Sequence, residues 1–441
     1  MKFDYDKEER RDILCIDVKS FYASVECIQM GLDPLETMLV VMSNAENAGG
    51  LILSASPMAK SALGLSNVMR KWDLPDHPDL LIVPPRMQLY INENMKINSI
   101  FKQYTAVEDI LIYSIDETFL DITASKKLFG KNTFELAEEI QKRIKEDTGL
   151  HVTIGIGDNP LLAKAALDVE SKQTVESIAE WRYEDVPDKL WKIYPITEMW
   201  GINSRTAKRL HNLNIHSIFD LAHANEYKLK EELGVIGLQL YAHSWGIDRT
   251  RISDTYVPAE KSFNNNQILP RDYRLQTEIE TVLQEVTDQV AARLRKHNAQ
   301  TQCVSLYIGY SSWYRKQGNK GFRQQMKVPP TNQSKLLKEY ILELFRHNWT
   351  GMEVRQVGVS FSKLVETDMI QLDLFHEPAD LVNDYKLDHL IDAIRKKYGF
   401  TSIVHANSLL SGGTAISRAS LIGGHAGGMD GLRSEYDAEK N

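Results

Sequence analysis

The sequence predicts an α+β protein of several domains, with a ferredoxin-like sheet as its first large element. Its 441 residues exceed what one hydrophobic core supports. Residues 13–171 run through strand, helix, hairpin, helix, strand and helix, which is typical of a ferredoxin-like sandwich with helices on one face. A mostly helical stretch follows residue 180, and a second α+β pattern begins at residue 261.

Each element of the first pattern has a local signal. ILCI is a short apolar strand that ends at Asp17, and the apolar spacing after it predicts a helix. EDILIYSI and TFLDIT are strands with only Asp116 and Glu117 between them. NTFELAEEIQKRIKEDTG is an amphipathic helix, HVTIGIG a strand and PLLAKAALDVES a helix. The opening MKFDYDKEERRD predicts a frayed end, and the Gly-rich segment near the C-terminus predicts flexible chain.

Composition limits the class of protein. An apolar content of 43% with 25% charged residues is ordinary for a globular chain. Cys15, Cys27 and Cys303 show no CxxC spacing, which argues against structural zinc and disulfides and fits a reducing cytoplasm. The chain has no apolar run of about 20 residues, so we expect no membrane partner.

Charge is distributed unevenly along the chain. The net charge is −8, and residues 1–180 hold 19 basic against 29 acidic residues. Residues 258–370 reverse this balance, with 16 basic against 11 acidic residues. A basic segment in an acidic protein indicates either a solvated face or a surface for a polyanion such as DNA.

Three carboxylates fall where strands of the first sheet end or turn. Asp17 ends the first strand, and Asp116 and Glu117 join the hairpin within YSIDETFLDIT. If the first strand and the hairpin are neighbours, the three acids meet at one sheet edge and repel one another. Mg²⁺ relieves such repulsion, and two such ions can support in-line phosphoryl transfer. A simple polar hairpin tip is the alternative.

A second motif, DVKSFYASVE, decides between these interpretations. Together with YSIDETFLDIT it resembles the Y-family DNA polymerases, most closely the UmuC-like (ImpB/MucB/SamB) branch of Gram-positive bacteria. The resemblance runs from about residue 12 to residue 425. It implies a template-directed, low-fidelity DNA polymerase that performs translesion synthesis on primer-template DNA with deoxynucleoside triphosphates. It also implies two Mg²⁺ ions as cofactors, with Mn²⁺ as a substitute.

The resemblance assigns roles to the residues of both motifs. Asp17, Asp116 and Glu117 match the family's catalytic, metal-binding carboxylates. Val18 matches the residue whose backbone carbonyl contacts the nucleotide-side metal. Tyr22 matches the steric gate, an aromatic face under the sugar that rejects a 2′-hydroxyl.

Other nucleotide contacts follow less directly from the resemblance. Phe21 stands beside the gate in the same motif. Lys60 lies near the family's phosphate-binding Arg, and Pro57 stands near its phosphate-binding Tyr. Lys172 lies near a second phosphate lysine, with the register displaced by about one residue. A lysine contacts phosphate as a point charge and lacks the bidentate geometry of arginine.

YPITEMWGINSRTAKRLHNLNI (194–215) resembles a helix-hairpin-helix, whose turn binds a DNA phosphate without reading sequence. A plain pair of helices is the alternative. The predicted DNA-binding residues are Gly201, Ile202, Asn203, Lys208 and Arg209.

QLDLF resembles the pentapeptide by which bacterial polymerases dock on the sliding clamp. The predicted contacts are Gln371, Leu372, Leu374 and Phe375. An ordinary strand end is the alternative. UmuC-like enzymes often need accessory SOS proteins, and the segment after residue 376 could serve such a partner.

The resemblance also predicts the domain organisation. The predicted domains are the palm (1–20 and 87–178), fingers (21–86), thumb (179–250), linker (251–259), little finger (260–370), and clamp peptide with tail (371–441). Two other functions stay open at this point. A nucleotide cyclase also places acids and metals on a ferredoxin-like sheet, and a non-catalytic regulatory protein could bind DNA and the clamp.

Overall fold

The computed structural model describes residues 3–43, 49–254, 257–366 and 377–426. The chain divides into two units, residues 1–255 and residues 256–441. No helix in the described part of the chain is long and apolar enough to span a membrane.

The first unit alternates short strands and helices. Its strands are β1 (Ile13–Val18), β2 (Leu39–Ser43), β3 (Leu51–Ala55), β4 (Leu81–Val83), β5 (Ile110–Ile112), β6 (Glu117–Asp121), β7 (Val152–Gly157) and β8 (Ile178–Trp181). Its α-helices are α1 (Phe21–Gln29), α2 (Pro57–Leu63), α3 (Met87–Phe101), α4 (Lys126–Phe129), α5 (Thr133–Thr148), α6 (Pro160–Ala165), α7 (Ser204–Asn212), α8 (Ile218–Ala222), α9 (Glu226–Leu233) and α10 (Val235–Ser244). A π-helix (Ala166–Ser171) continues α6.

The central sheet has the strand order β5-β6-β1-β7-β8. Strand β1 lies in the middle because Ile13 to Ile16 are all apolar and almost fully buried. It pairs antiparallel with β6 on one side and β7 on the other. The predicted neighbourhood of the first strand and the acid hairpin is therefore confirmed.

Helices cover both faces of this sheet, so the prediction of helices on one face was wrong. A Cβ atom on Gly155 would lie 2.0 Å from the Ala163 carbonyl oxygen, and one on Gly157 would lie 2.3 Å from the Ala163 nitrogen. Helix α6 therefore lies directly on β7 at these two glycines. The opposite face is also buried, at Leu14, Ile16, Ile154 and Ile156.

A smaller sheet of order β3-β2-β4 lies between α1 and α3 in the sequence. Val40, Met42, Ile52 and Ala55 form a separate small core beside α2. This part corresponds to the region predicted to be the fingers.

The last part of the first unit is helical, and the N-terminal segment packs on it. Tyr5 stacks on Tyr183 with ring centroids 5.0 Å apart. The Arg249 Nε donates to Glu8 at 3.0 Å, and Arg251 donates to Glu9 at 3.0 Å. The prediction of a frayed acidic end was therefore wrong, because the acids have arginine partners near residue 250.

The second unit is an α+β domain with a C-terminal extension. Its strands are β9 (Phe263–Tyr273), β10 (Ala299–Tyr310), β11 (Gly321–Thr331), β12 (Val354–Glu366), β13 (Leu421–Ile422) and β14 (His425–Ala426). Its helices are α11 (Gln276–Lys296), α12 (Ser312–Lys316), α13 (Ser334–Asn348), α14 (Pro378–Tyr398) and α15 (Ala415–Arg418). The large sheet has the order β11-β10-β12-β9, and α11 and α13 share its core.

The extension after residue 377 packs on α11 and α13. Arg295 of α11 donates to Asp388 and Asp392 of α14. The Thr414 nitrogen donates to Glu285 at 2.8 Å. The Gly-rich segment is thus fixed to the domain as far as residue 418, and the prediction of flexible chain was wrong there.

Candidate active site

The three predicted acids lie around one turn of backbone. Asp17 on β1 stands directly opposite Glu117 on β6 in the antiparallel register. The Val18 nitrogen donates to the Asp116 carbonyl oxygen at 2.9 Å. The hairpin turn precedes Glu117, whose carbonyl oxygen accepts from Ser114 at 3.0 Å. The fold therefore brings Asp17 and the Asp116-Glu117 pair together at the same end of strands β1 and β6.

Two polar side chains fix the acid turn. The Ser114 hydroxyl donates to the Asp116 carboxylate at 2.6 Å and accepts from the Glu117 nitrogen at 3.0 Å. Asn94 of α3 donates to the Ile115 carbonyl oxygen at 2.7 Å. These bonds satisfy backbone groups that the tight turn would otherwise leave unpaired.

One lysine of α6 and one lysine just after the π-helix reach the same acids. Lys164 is almost fully buried and donates to Glu117 at 2.9 Å and to Asp168 at 3.2 Å. Lys172 donates to Asp168 at 2.9 Å and lies 3.6 Å from the Asp17 carboxylate. A π-helix turn separates Lys164 from Lys172, and Lys172 follows it beside Asp17.

Sequence reasoning missed Lys164. Its signal is a lysine in an apolar helix, followed by Asp168 and Lys172 at intervals of four residues. The partner Glu117 lies 47 residues earlier in the chain. Because no local pattern reports that distance, the motif analysis could not assign Lys164 to the acids.

The pKa of Asp17 is raised by its surroundings. Burial raises its pKa to about 6, and the charges of Asp116 and Glu117 act in the same direction. Lys172 and Lys164 oppose this rise and do not cancel it. A bound cation would therefore favour the ionised form of Asp17.

The three acids are not arranged as a preformed metal-binding site. Among the described residues, no group of three or more His, Cys, Asp or Glu side chains stands close enough to hold a metal ion. Lysine ammonium groups contact Glu117 and Asp17 instead. The donor set still fits a hard divalent cation, because all three side chains offer carboxylate oxygens.

A chain of stacked and hydrogen-bonded side chains stands behind Tyr22. The Tyr22 ring stacks on Tyr90, with centroids 4.4 Å apart and an angle of 16° between the planes. The Tyr90 hydroxyl donates to the Glu26 carboxylate at 2.6 Å. Arg86 donates to the same carboxylate from its Nε and Nη2 atoms. Burial raises the pKa of Tyr22, and the charge of Asp116 adds to this rise. Phe21 is buried against both rings.

Lys60 also belongs to this neighbourhood. Its ammonium donates to the Ser20 hydroxyl at 2.9 Å. Partial burial lowers its pKa, and the charges of Asp17, Lys172 and Asp116 also act on it. The structure thus brings Lys60 and Lys172 toward the acids.

Comparison with known proteins identifies the family. Residues 16–168 match the impB/mucB/samB family, residues 260–374 match the C-terminal domain of that family, and residues 183–215 match the IMS family HHH motif. UvrX of Bacillus subtilis (strain 168) is 40% identical over 423 residues, which are 96% of this chain and 99% of that protein. DNA polymerase IV 2 of the same organism is 35% identical, over 94% of this chain and 98% of that protein. The chain belongs to the Y family of DNA polymerases.

A solved structure agrees with this assignment at the level of the fold. The Y-family DNA polymerase chimera Dbh-Dpo4(243-245)-Dbh aligns with a TM-score of 0.63 and 23% identity. The alignment covers 81% of this chain and 100% of the chimera chain. The predicted fold class, with palm, fingers, helix-hairpin-helix thumb and little finger, is confirmed, and the chain is a DNA-directed DNA polymerase of the translesion type.

The first helix of the helix-hairpin-helix in this polymerase is very short. A single 3₁₀ turn (Ile196–Glu198) precedes Gly201, and α7 follows. Asn203 caps α7 by accepting from the Arg205 and Thr206 nitrogens at 3.0 and 2.9 Å. The two predicted basic residues of α7 differ, because Lys208 is exposed whereas Arg209 donates to Glu232 at 3.0 Å. Ile202 is buried, so only its backbone can face a ligand.

The predicted clamp peptide of the polymerase, Gln371, Leu372, Leu374 and Phe375, lies outside the described residues. It follows β12 and precedes α14 in the sequence. Its role therefore stays a prediction from the motif.

Proposed function

We propose that Asp17, Asp116 and Glu117 hold two Mg²⁺ ions for template-directed nucleotidyl transfer, and that Mn²⁺ can replace them. The observation that carries the proposal is the direct pairing of Asp17 with Glu117 across β1 and β6, with Asp116 bonded to Val18. As a Y-family polymerase, the chain acts on primer-template DNA and deoxynucleoside triphosphates and depends on divalent metal.

Ions held by these carboxylates would supply Lewis-acid stabilisation of charge on the transferred phosphate. The chain's own residues orient the other groups. Ser114 and Asn94 hold the acid turn in position. Lys164 and Lys172 partly compensate the charge of Glu117 and Asp17. The Val18 carbonyl is the proposed backbone ligand.

In this proposal, Lys60 and Lys172 bind the triphosphate. Both ammonium groups lie near the acids, and a triphosphate brings negative charge that attracts them. Tyr22 then underlies the sugar as the steric gate, and the buried Phe21 supports it.

The thumb turn at Gly201, Ile202 and Asn203 is the proposed contact to a DNA phosphate, with Lys208 beside it. Arg209 can join only by leaving Glu232. We assign the palm to residues 1–20 and 87–178, the fingers to 21–86, the thumb to 179–250 and the little finger to 260–370. QLDLF is the proposed clamp ligand, and accessory SOS proteins are further candidate partners.

Primer extension tests the acid site. Asp116→Ala combined with Glu117→Ala should abolish nucleotide addition in Mg²⁺ on undamaged and abasic templates. Glu108→Ala combined with Asp109→Ala is the matched control, because it removes an adjacent acid pair just before β5. The control should extend like the wild type. Equal extension by the Asp116/Glu117 variant would show that these acids are not the metal site.

A further inference from the structure

The hairpin between β10 and β11 exposes a tryptophan at its tip. Helix α12 forms the tip, and Tyr314 turns inward to pack against the domain core. Trp313 turns outward with 61% of its surface exposed. The two rings are nearly perpendicular, with centroids 4.7 Å apart. The core thus anchors α12 through Tyr314 and leaves the indole of Trp313 facing solvent.

The hairpin that carries this tryptophan also carries cations without acid partners. No described residue forms an ion pair with any of five basic side chains on the hairpin. They are Arg315, Lys316, Lys320, Arg323 and Lys327. Residues 289–338 contain ten Lys and Arg and no Asp or Glu. By contrast, the basic residues facing the C-terminal extension are paired, as in Arg295 with Asp392 and Lys335 with Asp384.

The part of the open sheet face next to α12 is neutral or basic. Val304, Leu306 and Ile308 of β10 point into the core, so the alternate residues of β10 and their partners point away from it. Tyr307 stands opposite Arg323, and Ser305 lies between Gln325 and Ser360. The named positions on this face are neutral or basic, as a surface for a polyanion requires.

We propose that this hairpin binds unpaired template DNA, with Trp313 stacked on a base and the hairpin's cations on phosphates. A lone exposed aromatic residue is ordinary. Here the exposed indole shares one hairpin with five unpaired cations, and that combination is what single-stranded nucleic acid requires. A duplex satisfies the cations but offers no free base face to the indole. The proposal rests on the polymerase function, which supplies the single-stranded template as partner.

Fluorescence anisotropy with the full-length chain tests the stacking. The probes are an oligo(dT) and an oligomer of equal length made only of abasic deoxyribose phosphate. Trp313→Ala should weaken oligo(dT) binding by about tenfold, which lies within the range that base stacking on an aromatic ring provides. It should leave abasic-oligomer binding unchanged, and Trp313→Phe should restore most of the oligo(dT) affinity. Equal affinity of wild type and Trp313→Ala for oligo(dT), or an equal loss on both probes, would overturn the proposal.

The salt dependence separates the cations from the indole. Arg315→Gln, Lys316→Gln and Lys320→Gln together should reduce the slope of log affinity against log salt by about 2. Trp313→Ala should leave that slope unchanged. Tyr398→Ala is the matched control, because Tyr398 is 65% exposed in the same unit and lies beside Lys397. A loss with Tyr398→Ala as large as with Trp313→Ala would refute a specific site at the hairpin.

Discussion

At the scale of the residue, Tyr22 carries the sharpest expectation about substrate choice. Its ring lies over Tyr90 and feels the charge of Asp116, so it borders the proposed nucleotide site. Tyr22→Ala should raise the relative efficiency of ribonucleotide incorporation by about ten- to two-hundred-fold, the range that steric contacts in a pocket provide. Single-turnover kinetics with paired deoxy- and ribonucleotides measure the ratio. An unchanged ratio would remove Tyr22 from the gate.

The residues behind the gate should affect the same ratio. Tyr90→Phe keeps the stacked ring but removes the hydrogen bond to Glu26, so Tyr22 loses part of its support. We expect a smaller rise in ribonucleotide use than with Tyr22→Ala. Tyr104→Phe is the control, because Tyr104 is also buried and bonded to a carboxylate, Glu139, at 3.3 Å. A similar rise in the control would indicate a general loss of rigidity.

At the scale of the element, the C-terminal extension depends on a buried carboxylate in α11. Asp288 is buried, yet its pKa is lowered, because Lys338, Arg395 and His405 outweigh the cost of burial. Arg395 donates to it from α14 at 2.7 Å. Asp288→Asn should destabilise the docked extension by about 3–5 kcal/mol, since it leaves buried cations unpaired.

Hydrogen exchange over residues 378–398 measures this loss as faster exchange. Asp384→Asn is the control, because it breaks only the exposed pair with Lys335 and should cost about 1 kcal/mol or less. Since the folded pKa of Asp288 is depressed, its contribution is complete above the unfolded value of about 4 and declines as the pH falls below that value. Unchanged protection in Asp288→Asn would contradict the role of this carboxylate.

The elements also show which features a sequence can predict. Strand β1 and the acid hairpin were predictable because apolar runs and adjacent acids are local signals. The partners of the N-terminal acids were not, because Glu8 meets Arg249 across 241 residues. The contact between the buried Lys164 and Glu117 could not be predicted for the same reason. Pairing at long range is decided by the assembled fold, which no local pattern reports.

In the molecule as a whole, acidic and basic residues concentrate in different regions, and each region has its own proposed role. The acidic first unit holds the proposed metal site, whereas unpaired cations gather on the β10–β11 hairpin of the second unit. A protein of net charge −8 can therefore bind DNA through a local basic surface. Such a local contact is salt-sensitive, so stable residence on DNA benefits from a second, uncharged attachment.

QLDLF is the candidate for that attachment. Leu374→Ala combined with Phe375→Ala should abolish co-purification with the sliding clamp, because both apolar groups would fill its groove. Basal primer extension without clamp should be unaffected. Leu387→Ala combined with Leu390→Ala is the matched control, since these leucines of α14 are more than half exposed. If clamp binding survives in the QLDLF variant, or fails equally in the control, the pentapeptide is not the docking element.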